Sequence, residues 1–105
     1  MIFIIKGIMK AILFANDGCG SCRKWKPTFE KLMKKYEIEY QVCDIYKDVE
    51  LKKKYDVHGI PYTVFVNNSG EEIGSILGSM LEELADRDIR IYKDRDEKGS
   101  GLERS

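Results

Sequence analysis

The sequence predicts a single α/β domain in which four strands, a parallel pair and an antiparallel hairpin, are combined with helices. One indication is an apolar run at 11–15 that reads as a buried strand, followed by a long helical pattern and a second β-rich run at 39–45. Such a strand–helix–strand unit implies a parallel pair joined by a right-handed crossover. The other indication is a turn signal at 67–70 between two further β-rich runs, which implies an antiparallel hairpin. A chain of 105 residues, 43% of them apolar, can close one hydrophobic core but not two.

The helix after the first strand is predicted by an apolar stripe within a strongly charged segment. The apolar side chains recur at steps of three and four residues, which is the spacing of one helical face. Proline inside a helix removes a hydrogen bond and costs about 3 kcal/mol, so Pro27 on its own favours two shorter helices broken near Lys26. The stripe nevertheless stays in phase across this proline and comprises Cys22, Trp25, Phe29, Leu32, Met33 and Tyr36.

The second strand is followed by a short helix and then by the hairpin. Asp48 is a suitable N-cap for a helix from about Val49 to Tyr55. The hairpin pairs the β-rich run at 62–66 with a return strand at 71–77, which Gly74 weakens.

The final helix is predicted to begin near Ser79, with Leu81, Leu84 and Ala85 on its inner face. Residues 88–92 alternate between polar and apolar as a strand would, so the pattern leaves open whether they continue the helix or form a strand.

The domain itself is predicted to span residues 10–92. Residues 1–9 are either an N-terminal extension or an additional edge strand, and residues 93–105 are polar and expected to be a disordered tail, ending in a run that resembles a linker or a cloning remnant. The apolar start at 1–5 is too short to span a bilayer, and Lys6 and Lys10 interrupt its continuation. We therefore expect neither export nor a membrane anchor.

Composition excludes several classes of partner. The 18 basic and 18 acidic residues cancel, so no whole-chain field favours nucleic acid or an anionic membrane. The run of lysines at 52–54 reads as a solvated helix face. Three cysteines are too few for a secreted disulfide scaffold, and their odd number leaves Cys43 unpaired. These features favour a reducing compartment, and we expect the protein to be cytoplasmic.

The run Cys19-Gly20-Ser21-Cys22 carries the functional prediction. A strand that delivers Cys-x-x-Cys to the first turn of a helix is the layout of a dithiol redox site. Unpaired N–H groups at a helix N-terminus stabilise the thiolate, and such positions lower a thiol pKa from about 8.5 to roughly 3.5–7.5. We expect the Cys19 thiolate to attack a substrate disulfide and Cys22 to resolve the mixed disulfide, with no bound cofactor and no metal.

The chain resembles the thioredoxins over residues 10–92. The resemblance rests on the cysteine pair after a buried strand, on Pro27 five residues beyond the second cysteine, on Gly59-Ile60-Pro61 before the third strand, and on Gly78 after the hairpin. It implies a thioredoxin fold, in which a central mixed four-stranded sheet is flanked by helices, and a cis Ile60–Pro61 bond beside the sulfurs. A plainer interpretation is that Pro61 merely begins a strand.

The resemblance also implies partners and a substrate-binding surface. A disulfide-bearing protein is the expected substrate, a reductase or a low-molecular-weight thiol the expected electron donor, and the protein is expected to be a monomer. The backbone of residue 60 is left free to pair with an extended substrate. The residues expected to bind the substrate are Gly18, Gly20, Ser21, Gly59, Ile60, Pro61 and Gly78.

Several positions depart from the thioredoxin pattern. Gly18 stands where thioredoxins usually carry a tryptophan, and the only tryptophan, Trp25, lies on the helix stripe and is predicted to be core. The buried acid of the family falls at Leu13, and its accompanying lysine falls near Tyr40. Tyr62 follows the proline where threonine is usual. The resemblance therefore implies that the usual proton acceptor for the second cysteine is missing.

Three alternative functions stay open. A glutaredoxin-like, glutathione-dependent reductase usually has an acidic residue soon after the glycine near the last helix, whereas Ser79 and Met80 follow Gly78. A metal-binding module needs Cys43 and His58 to complete a ligand set, and their spacing does not bring them there. A protein-binding module without turnover is the third. We interpret Cys43 as a small apolar core residue, and His58 as a surface residue or as part of the site rim.

Overall fold

The computed structural model describes residues 9–99, which form four strands and three helices. In chain order these are β1 (Lys10–Ala15), α1 (Gly20–Lys35), β2 (Glu39–Asp44), α2 (Val49–Lys54), β3 (Tyr62–Val66), β4 (Glu72–Leu77) and α3 (Glu82–Gly99). Of the predicted extension or edge strand at residues 1–9, residues 1–8 lie outside the described residues, as does the end of the predicted tail from residue 100.

The strands form one mixed sheet in the order β2-β1-β3-β4. β1 runs parallel to β2, with Phe14 opposite Cys43, and antiparallel to β3, with Phe14 opposite Tyr62. β3 and β4 are the predicted antiparallel hairpin, with an irregularity between Phe65 and Val66. The predicted mixed, four-stranded sheet is confirmed.

Both faces of the sheet are buried, as the apolar run of β1 requires. Ala11 and Leu13 belong to a cluster that takes in the apolar stripe of α1 and the inner face of α3. Ile12 and Phe14 point the other way, into a second cluster formed with residues beside α2. A strand whose successive side chains are all apolar must be covered on both faces, and here helices supply that cover.

Helix α1 is one continuous helix, although Pro27 lies inside it. The burial of its apolar stripe outweighs the lost hydrogen bond, so the alternative of two shorter helices is wrong. Tyr36 is only partly buried and serves as the C-cap. The fully buried members of the predicted stripe are Cys22, Trp25, Phe29, Leu32 and Met33.

Asp48 stands at the N-cap of α2, but its side chain makes no capping hydrogen bond. Its Oδ2 instead accepts a hydrogen bond from the backbone N–H of Asp44 at 3.1 Å. The predicted position of the cap is confirmed, and the predicted bond is replaced by one that fastens α2 to the end of β2.

Helix α3 begins later than predicted, and its far end answers the question that the sequence pattern left open. It begins at Glu82 rather than near Ser79, and Leu81 and Leu84 are exposed while Ala85 and Ile89 are completely buried. Residues 88–92 are helical, because Ala85, Ile89 and Tyr92 keep helical spacing toward the core whereas the alternation at 88–92 does not match burial.

The helix also continues past the predicted domain boundary at residue 92. Residues 93–99 are its last two turns, so this part of the predicted disordered tail is helical. Asp96, near its end, is buried, which the polar composition of the tail did not indicate.

Side chains of α3 cover the outer edge of β4. The Tyr92 hydroxyl donates to the carbonyl oxygen of Ser75 at 3.1 Å, and Arg95 Nη1 donates to the carbonyl oxygen of Ile73 at 2.7 Å. The Tyr92 ring lies against the backbone of Gly74 so closely that a Cβ atom there would overlap it. Gly74, which weakens the strand in isolation, is what allows α3 to pack here.

Candidate active site

The two cysteines lie where β1 gives way to α1 and are joined by a disulfide, with Cα atoms 5.2 Å apart. Cys19 is the N-cap of α1 in an extended conformation, and its Sγ accepts a hydrogen bond from the backbone N–H of Cys22 at 3.1 Å. Cys22 is 4% exposed, whereas Cys19 is only partly buried. One sulfur therefore meets solvent at a helix N-terminus, and the other faces the protein interior.

A tight turn fixes the approach to Cys19. Asn16 Oδ1 accepts from the backbone N–H of Gly18 at 2.9 Å, and the Asn16 carbonyl oxygen accepts from the backbone N–H of Cys19 at 3.0 Å. Arg23 Nη1 donates to the carbonyl oxygen of Asp17 at 2.8 Å, so the first turn of α1 holds the same loop. Asn16 was not predicted as a site residue, although the Asn-Asp-Gly run is itself a turn signal.

The second half of the site comes from the loops around β3 and β4. The Ile60–Pro61 peptide bond is cis. Because Tyr62 pairs with Phe14 near the end of β1, Pro61 lies at the same end of the sheet as the cysteines. The backbone N–H of Gly78 donates to the carbonyl oxygen of Pro61 at 2.7 Å, and Gly78 has a φ of +83°, in the left-handed region that favours glycine.

The structure thus brings the residues predicted to bind substrate to one end of the sheet, in two groups. Gly18, Gly20 and Ser21 are exposed around the disulfide. Gly59, Ile60, Pro61 and Gly78 form the opposite group, in which the Leu77 side chain lies 3.6 Å from where a Gly59 Cβ would stand.

A buried hydrogen bond connects the cysteine helix to the strand that follows Pro61. Trp25 Nε1 donates to Thr63 Oγ1 at 2.9 Å, and the two residues are 1% and 0% exposed. Trp25 is therefore core, as predicted. Thr63 was missed as a supporting residue, because a threonine in a β-rich run carries no sign of a partner 38 positions away.

The interior face of Cys22 opens on a cavity of about 370 Å³. The carboxylates that line it are Asp17 and Asp44, and the cations are Arg23 and Lys26. Leu13 is wholly buried in the apolar core, and the Tyr40 hydroxyl donates to Glu30 Oε2 at 3.1 Å. Neither of these two positions supplies a carboxylate or a cation at Cys22.

The remaining cysteine and the histidine have ordinary surroundings. Cys43 is 3% exposed in β2, and burial raises the pKa of its thiol, although Gln41 Nε2 donates to its sulfur at 3.1 Å. His58 is an exposed residue whose ring nitrogen lies 2.7 Å from a carboxylate oxygen of Asp56. Within residues 9–99, histidine, cysteine and acidic side chains nowhere gather in a group of three or more that would hold a metal ion. Over the same range, the helices are too short or too polar to cross a membrane.

Comparison with known proteins agrees with this geometry. The thioredoxin family model matches residues 6–88. The thioredoxin of Borreliella burgdorferi is 31% identical over 90 residues, which cover 83% of this chain and 76% of that protein. The SPbeta prophage-derived thioredoxin-like protein YosR of Bacillus subtilis is 24% identical over 76 residues, which cover 72% of this chain and 90% of that protein.

Solved structures show the same fold. A mutant thioredoxin from Halobacterium salinarum superposes with a TM-score of 0.74 at 24% identity, covering 82% of this chain and 75% of that one. The thioredoxin of Fasciola hepatica gives a TM-score of 0.68 at 28% identity, covering 87% of this chain and 83% of that one. Together with the cysteine pair at the start of α1, these matches establish that the chain belongs to the thioredoxin family and is a thiol–disulfide oxidoreductase.

Proposed function

We propose that this protein reduces disulfides in protein substrates, with Cys19 as the attacking residue and Cys22 as the resolving residue. The Cys19 thiolate attacks one substrate sulfur, the substrate disulfide breaks, and the other substrate sulfur leaves as a thiolate. Cys22 then loses its proton and attacks Cys19, which releases the second substrate sulfur and leaves the Cys19–Cys22 disulfide. The substrate gains two electrons and the cysteine pair loses two.

The asymmetry of the two sulfurs carries this proposal. Cys19 is the more accessible of the pair, and its Sγ already accepts a backbone hydrogen bond at the N-terminus of α1, where negative charge is stabilised. Cys22 is buried, so it is reached by Cys19 more readily than by a second substrate. These positions favour thiolate character and first attack at Cys19.

The surrounding residues suit a polypeptide substrate. The loops at Gly59–Pro61 and Gly78 lie at the same end of the sheet as the disulfide. Glycines at 18 and 20 leave room for a partner chain to approach. We propose that Ile60 pairs with the substrate backbone while Gly18, Gly20, Ser21, Gly59, Pro61 and Gly78 line its path. Recharging of the pair falls to a reductase or a low-molecular-weight thiol, in a reducing compartment such as the cytoplasm and without a resident cofactor.

Trapping of the mixed disulfide tests the assignment of roles. Cys22→Ser should accumulate a covalent adduct between Cys19 and a disulfide-bearing peptide, seen as an added mass under non-reducing conditions. Cys19→Ser should not accumulate this adduct at a comparable rate. Cys43→Ser should reduce the peptide disulfide as the unmodified protein does. Adduct formation through Cys22 or Cys43 would contradict the proposal.

A redox titration of the Cys19–Cys22 pair tests the direction of the reaction. A two-electron transition near roughly −270 mV supports a disulfide reductant, and one near −200 mV favours the glutaredoxin-like alternative. A transition near about −120 mV would mark an oxidant and overturn the proposal.

A further inference from the structure

Leu81 occupies a position that ordinary helix chemistry does not favour. Its carbonyl oxygen accepts the first hydrogen bond of α3, from the backbone N–H of Ala85 at 3.0 Å, so Leu81 is the N-cap of that helix. Ser, Thr, Asp and Asn stabilise this position because their side chains accept a hydrogen bond from the first turn, which leucine cannot do. Leu81 is also 72% exposed, so little of its apolar surface is buried.

The same side chain lines a cavity beside the active site. This cavity, of about 390 Å³, lies between the start of α1 and the start of α3, with Trp25, Met80 and Leu81 contributing its apolar surface. Met80 and Leu81 follow Gly78 directly, and Gly78 is hydrogen bonded to Pro61. The cavity therefore borders the loop that carries Gly78, at the same end of the sheet as the disulfide.

The charged rim of the cavity presents one available cation. Lys24 and Glu82 both lie at the rim. Glu82 is paired with Lys31, whose Nζ lies 3.0 Å from Glu82 Oε2, whereas within residues 9–99 Lys24 has no carboxylate within 4.0 Å. The rim consequently favours an anionic neighbour at Lys24.

We propose that this cavity, together with Leu81, is a docking site for the substrate polypeptide, a proposal that rests on the disulfide reduction proposed above. The occupant is a segment of the substrate that places a large apolar side chain against Leu81 and Met80 and an acidic side chain beside Lys24. Lys24 lies five residues beyond Cys19, or about 8 Å along the axis at 1.5 Å per residue. An extended chain covers that distance in about two or three residues, which sets the separation from the reacting cysteine.

The proposal predicts that stability and substrate recognition respond to Leu81 in opposite directions. Leu81→Ser supplies the missing cap, so the melting temperature should rise by about 4–8 °C. The same change should slow reduction of a peptide disulfide that carries leucine three residues from its cysteine by about tenfold. Misfolding cannot imitate this result, because a misfolded variant would not melt at a higher temperature.

The measurement is the second-order rate constant for reduction by the fully reduced protein, followed by acid quench and mass spectrometry. Peptides carry leucine or serine at the test position, placed before or after the cysteine, and hydroxyethyl disulfide serves as a substrate too small to reach the cavity. Leu84→Ser is the matched control, since Leu84 is an exposed leucine on α3 that does not line the cavity. We expect Leu81→Ser to slow only the leucine peptide and Leu84→Ser to slow none.

The charged rim has its own matched pair of variants. Lys24→Glu should reduce the preference for a peptide with glutamate beside the leucine by roughly two- to fivefold, and Lys34→Glu, which makes the same charge change near the far end of α1, should not. Equal rates for the leucine and serine peptides, or no effect of Leu81→Ser, would overturn the docking site. If the unmodified protein also fails to reduce hydroxyethyl disulfide, the proposed reductase function itself falls, and this outcome is distinct from the other two.

Discussion

Removing the hydroxyl group of Thr63 should destabilise the protein. It should also weaken the link between α1, which begins at the cysteines, and β3, which follows Pro61. The Trp25 indole N–H donates to Thr63 Oγ1 at 2.9 Å in a fully buried environment. Thr63→Val keeps the shape of the side chain but leaves the indole N–H without its acceptor. An unpaired buried donor costs about 1–3 kcal/mol, so we expect the free energy of unfolding to fall by that amount.

The expected loss is measurable by urea unfolding followed by circular dichroism. For a domain of this size it corresponds to a fall in melting temperature of roughly 4–8 °C per kcal/mol. A double-mutant cycle with Trp25→Phe isolates the bond, because the Trp25→Phe, Thr63→Val variant lacks both partners and leaves neither unpaired. The sum of the losses in unfolding free energy of the two single variants should therefore exceed the loss of the double variant by about 1–2 kcal/mol.

Thr28→Val is the matched control for this cycle. Thr28 is a partly buried threonine on α1 for which the part of the chain from 9 to 99 shows no hydroxyl hydrogen bond. Its change in unfolding free energy should stay within about 0.5 kcal/mol. A loss equally small for Thr63→Val, or a coupling energy near zero, would refute the view that this bond ties α1 to β3.

Two further predictions concern α3. Gly74→Ala should lower the unfolding free energy by about 1–3 kcal/mol, because the new Cβ overlaps the Tyr92 ring. Gly59→Ala is the control and should change it by under about 0.5 kcal/mol, because its Cβ would stand 3.6 Å from Leu77. Equal effects of the two changes in urea unfolding would contradict this packing. The pKa of Asp86 lies below its usual 3.8, chiefly because Lys35 and then Tyr36 donate hydrogen bonds to the carboxylate. Its stabilisation is therefore present above the unfolded-state pKa and is lost as the pH falls through the lower folded-state value. Asp86→Asn should accordingly be less stable than the unmodified protein at neutral pH, with the difference shrinking in acid-unfolding curves below about pH 4, and a difference independent of pH would count against this account.

The spacing of apolar residues along the chain correctly predicted which face of α1 is buried. The stripe from Cys22 to Met33 is buried as its spacing implied, whereas α1 continues through Pro27, which on its own favoured two shorter helices. The cysteine pair was also placed correctly at the first turn of α1, because nearby residues indicated both the end of the strand and the start of the helix. These features depend on neighbours in sequence.

The predictions that the structure contradicts, and the contacts that the sequence did not indicate, depend on partners that are distant in sequence. Leu81 and Leu84 have the spacing of a core face, but the sheet meets α3 along Ala85 and Ile89, so the leucines are left outside. Nothing near residue 48 indicates that its carboxylate binds the Asp44 backbone rather than its own helix. The Trp25–Thr63 bond likewise joins elements whose approach only the complete sheet determines.

The contacts that α3 makes with the edge of β4 also change which groups of this edge strand stay free to pair with another chain. An edge strand exposes carbonyl and N–H groups that can template pairing with another chain, and proteins blunt such edges with charge or cover. Here Tyr92 and Arg95 occupy the carbonyl oxygens of Ser75 and Ile73, so a second strand arriving along β4 finds these acceptors already taken. The cationic head of Arg95 adds a charge that an incoming β-strand would have to desolvate. The helix that completes the core thus also reduces the number of hydrogen-bonding groups that this edge of the sheet offers to another β-strand.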